Sequence, residues 1–141
     1  MDWIGRSGKA MRSEAGAAAL EFVLVAPLLL ALIFGISAFG YAFALQNSLR
    51  ELAAGAARAT VAGLNTTERQ SILQTYMEQA STEYVLLEES RISYAPTFTS
   101  GSNAALSLDV DYSLSGSIVG IASSLLGISI SQLKGSAYLV Y

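Results

Sequence analysis

The chain has 141 residues, of which 52% are hydrophobic and 13% charged, and its mean hydropathy is +0.47. This composition excludes intrinsic disorder, which requires low hydrophobicity and high net charge, and a net charge of −3 gives no reason to expect a nucleic-acid partner. Because Cys and His are both absent, disulfides, thiolate metal sites and the commonest general base are excluded, and we expect no cofactor, no metal and no enzyme.

The first predicted element is an apolar run from Phe22 to Leu45, which contains no charged residue. As a helix it is about 36 Å long at ~1.5 Å per residue. A bilayer core is roughly 30 Å thick. The run therefore predicts a single membrane span over about 22–45, with Pro27 near its start, where proline costs little.

The distribution of basic residues gives the orientation. Three basic residues, Arg6, Lys9 and Arg12, precede the span, whereas two, Arg50 and Arg58, follow it closely. Because the more basic side of a span stays in the cytoplasm, we expect a cytoplasmic N-terminus and an extracytoplasmic C-terminal part.

The helical pattern continues beyond the span, with apolar residues at three- and four-residue steps: Leu45, Leu49, Leu52, Ala56 and Ala59. We predict one helix from about Ala17 to Ala62, ended by Gly63. Thr67 with Gln70 fits a capping box, which predicts a second helix from Glu68 to about Glu88.

From Ser90 the apolar period changes from 3.6 to 2, which indicates strands. Ile92 to Phe98 contains Pro96 and so predicts an edge strand or a broken one. Thr99–Asn103 predicts a hairpin loop, and the alternation from Leu106 to Ser115 is regular. Ile128–Ser131 and Gly135–Tyr141 predict one or two further strands. The predicted fold is α+β: a long N-terminal helix followed by an extracytoplasmic domain (64–141) with a second helix and a three- to four-stranded antiparallel sheet.

Between these strands, the segment 117–127 is apolar but too short for a second span. One interpretation is a short helix or loop packed on the sheet. The other is an exposed surface that binds a partner or the membrane face.

Two features inside the apolar helix point to association. Glu21 is a carboxylate at the head of the run, where it is either hydrated at the membrane interface or paired with a partner. Ala31, Gly35, Ala38 and Ala42 form one stripe of small residues, which allows membrane helices to approach closely but is also common in spans.

The order of a basic leader, Gly16, a carboxylate at the fifth position after it and an uninterrupted apolar helix is the layout of a type IV prepilin. The segment from Glu14 to Gly63 resembles the TadE-like minor pilins (pseudopilins) of the tight-adherence (Flp) pilus. The family often has Tyr after the Glu, where this chain has Phe22. Some relatives have cysteine pairs, which this chain lacks.

The resemblance implies that a prepilin peptidase removes the cytoplasmic leader 1–16 by cutting between Gly16 and Ala17. The pilin-like helix would then be 17–63, with a new amine on Ala17. We hypothesise that Glu21 pairs with the Ala17 amine of a neighbouring subunit and so sets the axial register. The implied partners are the bacterial inner membrane, other pilin subunits, the pilus assembly machinery and the peptidase.

Other classes of function stay open. Ala42-Phe43-Ala44 supplies an A-x-A site, so the run could be a secretory signal cut before Leu45, or a plain membrane anchor that is not cut. Asp109 and Asp111 share one face of a strand and could bind a cation or act as an acid/base pair, although a solvated polar face is the simpler interpretation.

Overall fold

The computed structural model describes residues 7–101, 104–125, 127–128 and 130–141, with the backbone alone for residues 7–15 and residue 81. In chain order the elements are α1 (Ser7–Ala59), α2 (Thr66–Glu78), α3 (Ala80–Glu83), β1 (Ile92–Thr99), β2 (Ala105–Ser113), α4 (Ile118–Leu125) and β3 (Gln132–Val140). Short 3₁₀ helices occupy Thr60–Ala62 and Glu89–Arg91. The predicted α+β fold is confirmed: a long apolar helix, a second helix and an antiparallel sheet.

The chain divides into two compact units, Met1–Ser37 and Ala38–Tyr141. The first contains the N-terminal part of α1. That helix begins at Ser7, ten residues before the predicted start, because the residues ahead of Gly16 include good helix formers such as Lys9, Met11 and Glu14. Residues 1–6 of the predicted leader, with Arg6, lie outside the described residues.

In the second unit, one face of α1 contributes to the hydrophobic core. Leu45, Leu49 and Leu52 are at most 1% exposed, and Ala56 is fully buried. Their spacing of three and four residues places them on the same side of the helix, as predicted. After Ala59 the helix tightens into the 3₁₀ turn, and Gly63 N–H donates to the Thr60 carbonyl at 3.1 Å, which confirms the predicted end.

The predicted N-cap of the second helix was wrong. Asn65, not Thr67, caps α2: its Oδ1 accepts the N–H of Glu68 at 2.9 Å, and Glu68 Oε2 accepts the N–H of Leu64 at 2.9 Å. This reciprocal arrangement satisfies two donors at the start of α2.

The helical region also ends earlier than the predicted Glu88, because α2 stops at Glu78 and α3 at Glu83. Tyr84 leaves the helical conformation (φ −112°, ψ 90°), and Leu87, which is 2% exposed, joins the core. Burial of this leucine, together with a contact from Glu88 N–H to the Tyr112 hydroxyl at 3.5 Å, overrides the helical pattern.

The sheet has the order β1-β2-β3 and is antiparallel throughout. The central strand β2 buries its alternate residues Leu106, Leu108, Val110 and Tyr112, as its sequence predicts. Pro96 lies in β1, opposite Leu108, and β1 is an edge strand, as expected for a strand that contains proline.

Two loop predictions fall partly on residues that are not described. The hairpin loop Thr99–Asn103 lies between β1 and β2, with Ser102 and Asn103 outside the described residues. Ile128, Ile130 and Ser131 are not in a strand, and Ser129 lies outside the description. The described chain therefore has three strands, the lower of the two predicted numbers.

Candidate membrane and assembly site

The part of α1 from Gly16 to Ser37 is apolar and uncovered. Phe22, Leu24 and Leu28 are 70–74% exposed, and only Ala26 and Gly35 in this stretch are half-buried. Among the described residues, one helix is long and apolar enough to cross a membrane, and this stretch lies at its start. Because exposed apolar surface is unfavourable in water and well solvated by lipid, the geometry supports single-pass membrane anchoring.

The residues of the predicted cleavage and pairing site lie within this stretch. Gly16, Ala17 and Glu21 are all exposed and all helical. Ala17 and Glu21 are four residues apart and so lie on the same face of α1, one turn from each other. Within the described residues, the carboxylate of Glu21 takes part in no ion pair.

The four small residues of the predicted packing stripe have different surroundings. Ala31 is exposed, and a Cβ added at Gly35 would meet nothing within 4 Å. Ala38 is 5% exposed and Ala42 is half-buried, since both line an apolar hollow with residues of α4. The packing role stays a prediction, and Ala31 and Gly35 are the members whose surface the described chain leaves open.

The acidic pair on β2 does not form a charged pocket. Asp109 is exposed, whereas Asp111 lies opposite Lys134 in the β2–β3 register, and the Lys134 Nζ is 3.5 Å from its Oδ1. In the described part of the chain, no group of three Asp, Glu, His or Cys residues is placed to hold a metal ion.

Two tyrosine side chains, Tyr76 and Tyr84, pack against α1 at Gly55. A Cβ at Gly55 would collide with the Tyr76 hydroxyl and would stand 3.5 Å from the Tyr84 hydroxyl, so both rings use the space left by this glycine. Burial, with a smaller contribution from the Tyr76 hydroxyl, raises the pKa of Tyr84 to about 12. The Tyr84 phenol is therefore neutral at ordinary pH and makes a structural contact.

Comparison with known proteins assigns the N-terminal segment. Residues 16–58 match the family model described as TadE-like protein. This segment is TadE-like. The match starts at Gly16, includes Glu21 and ends within α1. It therefore confirms the resemblance to TadE-like proteins over most of the segment from Glu14 to Gly63. No curated protein and no solved structure matches the chain.

The family that matches residues 16–58 is a structural one. TadE-like pilins are a structural, non-enzymatic family, and nothing in the described residues points to catalysis. The match together with a helix of membrane-spanning length fits a minor pilin of a tight-adherence pilus, with membrane association and pilus components as the expected surroundings.

Sequence reasoning missed one arrangement in this region. Ala38 and Ala42 line the same apolar hollow as residues of α4, which is some 80 residues later in the chain. No local pattern reveals this contact, because small residues in a span are equally compatible with packing against lipid, another subunit or the same chain.

Proposed function

We propose that this protein is a minor pilin, or pseudopilin, that acts in the assembly of a tight-adherence (Flp) pilus in the bacterial inner membrane. A prepilin peptidase removes the leader 1–16 by cutting between Gly16 and Ala17. The helix 17–63 then anchors the mature chain, with its N-terminus on the cytoplasmic side and the domain 64–141 outside. The observation that carries the proposal is that the TadE-like match begins at Gly16 and continues along an uncovered apolar helix.

Glu21 and the new amine of Ala17 are the proposed charge pair between neighbouring subunits. An amine of this kind has a typical pKa of about 8, so it is largely protonated at neutral pH. A carboxylate near lipid is unfavourable alone but is compensated by a facing ammonium. The exposed position of Glu21, without an ion pair among the described residues, supports this role.

The structure argues against the secretory alternative. Ala42-Phe43-Ala44 lies inside α1, between the buried residues Ala38 and Leu45. Cleavage there would remove Ala38, which contributes to the packing of the second unit, and would leave Leu45 as a chain terminus inside the core. A signal peptide does not normally form part of the folded product.

The mass of the mature N-terminus tests the proposal. Protein purified from its native host is expected to begin at Ala17. A chain that begins at Leu45 would support secretion, and an intact Met1 would support a plain membrane anchor; either result overturns the pilin assignment. A Gly16→Leu variant, which places a bulky side chain next to the bond, is expected to keep the leader, whereas Gly8→Leu is the matched control and should be processed.

A further inference from the structure

Helix α4 (Ile118–Leu125) is apolar on both of its faces. Val119 and Ser123 are buried against the rest of the second unit. On the opposite side, Ile118, Ile121 and Leu125 are 70%, 57% and 82% exposed. A helix with apolar residues all round is normally buried on all sides, yet the described chain leaves this face of α4 uncovered.

The position of α4 indicates what covers it. Val119 and Ser123 line the same apolar hollow as Ala38 and Ala42 of α1. These two alanines precede Leu45, the end of the apolar run, by seven and three residues, which is about 10 and 4 Å along the helix at ~1.5 Å per residue. Helices that lie in a membrane interface bury their apolar face roughly 5–10 Å deep.

The apolar surface is also continuous between the two helices. Phe39 of α1 lines the hollow beside Val119 and Ile128 and is itself 44% exposed. Phe39 and the exposed residues of α4 therefore belong to one apolar region of the second unit, which includes the end of the apolar run of α1.

The polar groups of α4 are satisfied within the segment, which suits a medium without water. The Ser117 Oγ accepts the N–H of Gly120 at 3.1 Å and donates to the Leu114 carbonyl at 2.8 Å. The exposed hydroxyl of Ser124 donates to the Ile121 carbonyl at 2.8 Å instead of pointing to solvent.

The backbone carbonyls at the C-terminus of α4 are also hydrogen-bonded within the segment. Gly127, at φ +69°, allows a reversal in which the N–H of Ile128 donates to the Ser123 carbonyl at 2.8 Å and the N–H of Gly127 to the Ser124 carbonyl at 3.3 Å. These two hydrogen bonds satisfy backbone carbonyls that would otherwise need water.

The sequence around α4 is free of charged residues. The sequence has no charged residue between Asp111 and Lys134. Arg91 lies beside the start of the segment: its Nη1 donates to the Ser115 carbonyl at 2.8 Å, and its Nε pairs with Glu88 at 2.7 Å. Arg91 is thus neutralised by Glu88 and fixed to the start of the segment, so no unpaired charge at this contact opposes burial of the apolar face of α4 in lipid.

We propose that α4 is a membrane-docking helix, which inserts Ile118, Ile121 and Leu125 into the outer leaflet of the bilayer that α1 crosses. The domain is thereby held on the membrane surface. The inference rests on the proposed function, which places α1 across the membrane with the domain 64–141 outside.

Because the chain has no cysteine, single-cysteine variants report on individual sites. The full chain, carrying Ile121→Cys or Leu125→Cys labelled with an environment-sensitive fluorophore, is reconstituted in vesicles of phosphatidylethanolamine and phosphatidylglycerol. Val85→Cys is the matched control, since Val85 is 92% exposed but distant in sequence from both α4 and the span. Ile33→Cys, inside the proposed span, reports on insertion of α1.

Lipids with a quencher on the acyl chain are expected to remove most of the fluorescence at Ile121, Leu125 and Ile33 but not at Val85. Quenching at Ile33 without quenching at Ile121 and Leu125 would overturn the docking proposal and leave the span intact. Loss of quenching at Ile33 as well would overturn the span itself. A probe at Ile121 that is shielded from water, unquenched by lipid and close to the same probe on another copy would assign this face to subunit contact and overturn the proposal.

Discussion

Gly135 of β3 lies against the main-chain carbonyl of Leu49 in α1, so closely that a Cβ atom at position 135 would stand 2.8 Å from the carbonyl oxygen and 3.0 Å from its carbon. The neighbouring Gln46 side chain donates to the Lys134 carbonyl. Helix and strand are therefore joined by backbone contact at this point, and the absence of a side chain at Gly135 makes the contact possible.

We expect Gly135→Ala to destabilise the domain by about 1–3 kcal/mol, because the added methyl group meets backbone atoms that have little room to move. Ser136→Ala, next to it and exposed, is the control and should change stability by less than about 0.5 kcal/mol. Urea unfolding of the full chain in detergent measures both. Equal stability of the two variants would mean that α1 and β3 separate easily.

The cap of α2 gives a second stability prediction. Asn65→Ala removes the acceptor for the Glu68 N–H and should cost about 1 kcal/mol. Thr67→Ala, at the position that the capping-box pattern favoured, should cost much less, because the Thr67 side chain is exposed and makes no cap bond. A larger loss for Thr67 than for Asn65 in thermal unfolding would contradict the observed cap.

Tyr84 makes the free energy of unfolding depend on pH in the alkaline range. Its pKa is raised from 10.0 to about 12 in the folded chain, first by burial and then by the Tyr76 hydroxyl, so folding favours the neutral phenol. The resulting stabilisation is fully present below the unfolded pKa of 10.0 and is lost as pH rises towards 12. Tyr84→Phe should flatten this part of the stability–pH profile. Tyr138→Phe, which removes an exposed hydroxyl on β3, should leave the profile as it is.

Glu21→Gln tests the proposed charge pair with a side chain of the same size. We expect membrane insertion to be unchanged and co-purification with other pilin subunits to fall, because a neutral amide compensates an ammonium poorly. Glu51→Gln, an exposed carboxylate later in α1, serves as the matched control. Co-purification at the wild-type level in Glu21→Gln would rule out the pairing role.

Gly35→Leu tests the packing role of the small-residue stripe at a position where the described chain places no atom within 4 Å of an added Cβ. The larger side chain should hinder the close approach of a second helix and reduce energy transfer between labelled copies in vesicles. Gly40→Leu makes the same change five residues later, away from the stripe, where a Cβ also meets nothing within 4 Å. A similar response in both variants would show that the stripe has no special role.

The sequence predicts this fold best where one simple period decides the structure. The strict alternation in β2 and the leucine spacing in α1 identify the buried residues correctly, because a regular element with one buried face allows only one pattern. Pro96 identifies an edge strand for a similar reason, since a missing N–H restricts where a strand can lie.

Prediction was less successful where tertiary contacts decide. The helical pattern continues through Tyr84 to Glu88, but burial of Leu87 ends the helix early. At the candidate site, Gly16 and Glu21 stand out as a sequence pattern, whereas the apolar hollow that Ala38 and Ala42 line with α4 depends on the folding of distant segments and leaves no local trace.

The leucine row of α1 has a practical consequence for anyone who wishes to express the domain without its anchor. A truncated version that starts after Gly63 would lose Leu45, Leu49 and Leu52, and the buried face of the sheet would become exposed to solvent. Such a fragment should aggregate, whereas one that starts at Ala38 retains every element of the second compact unit.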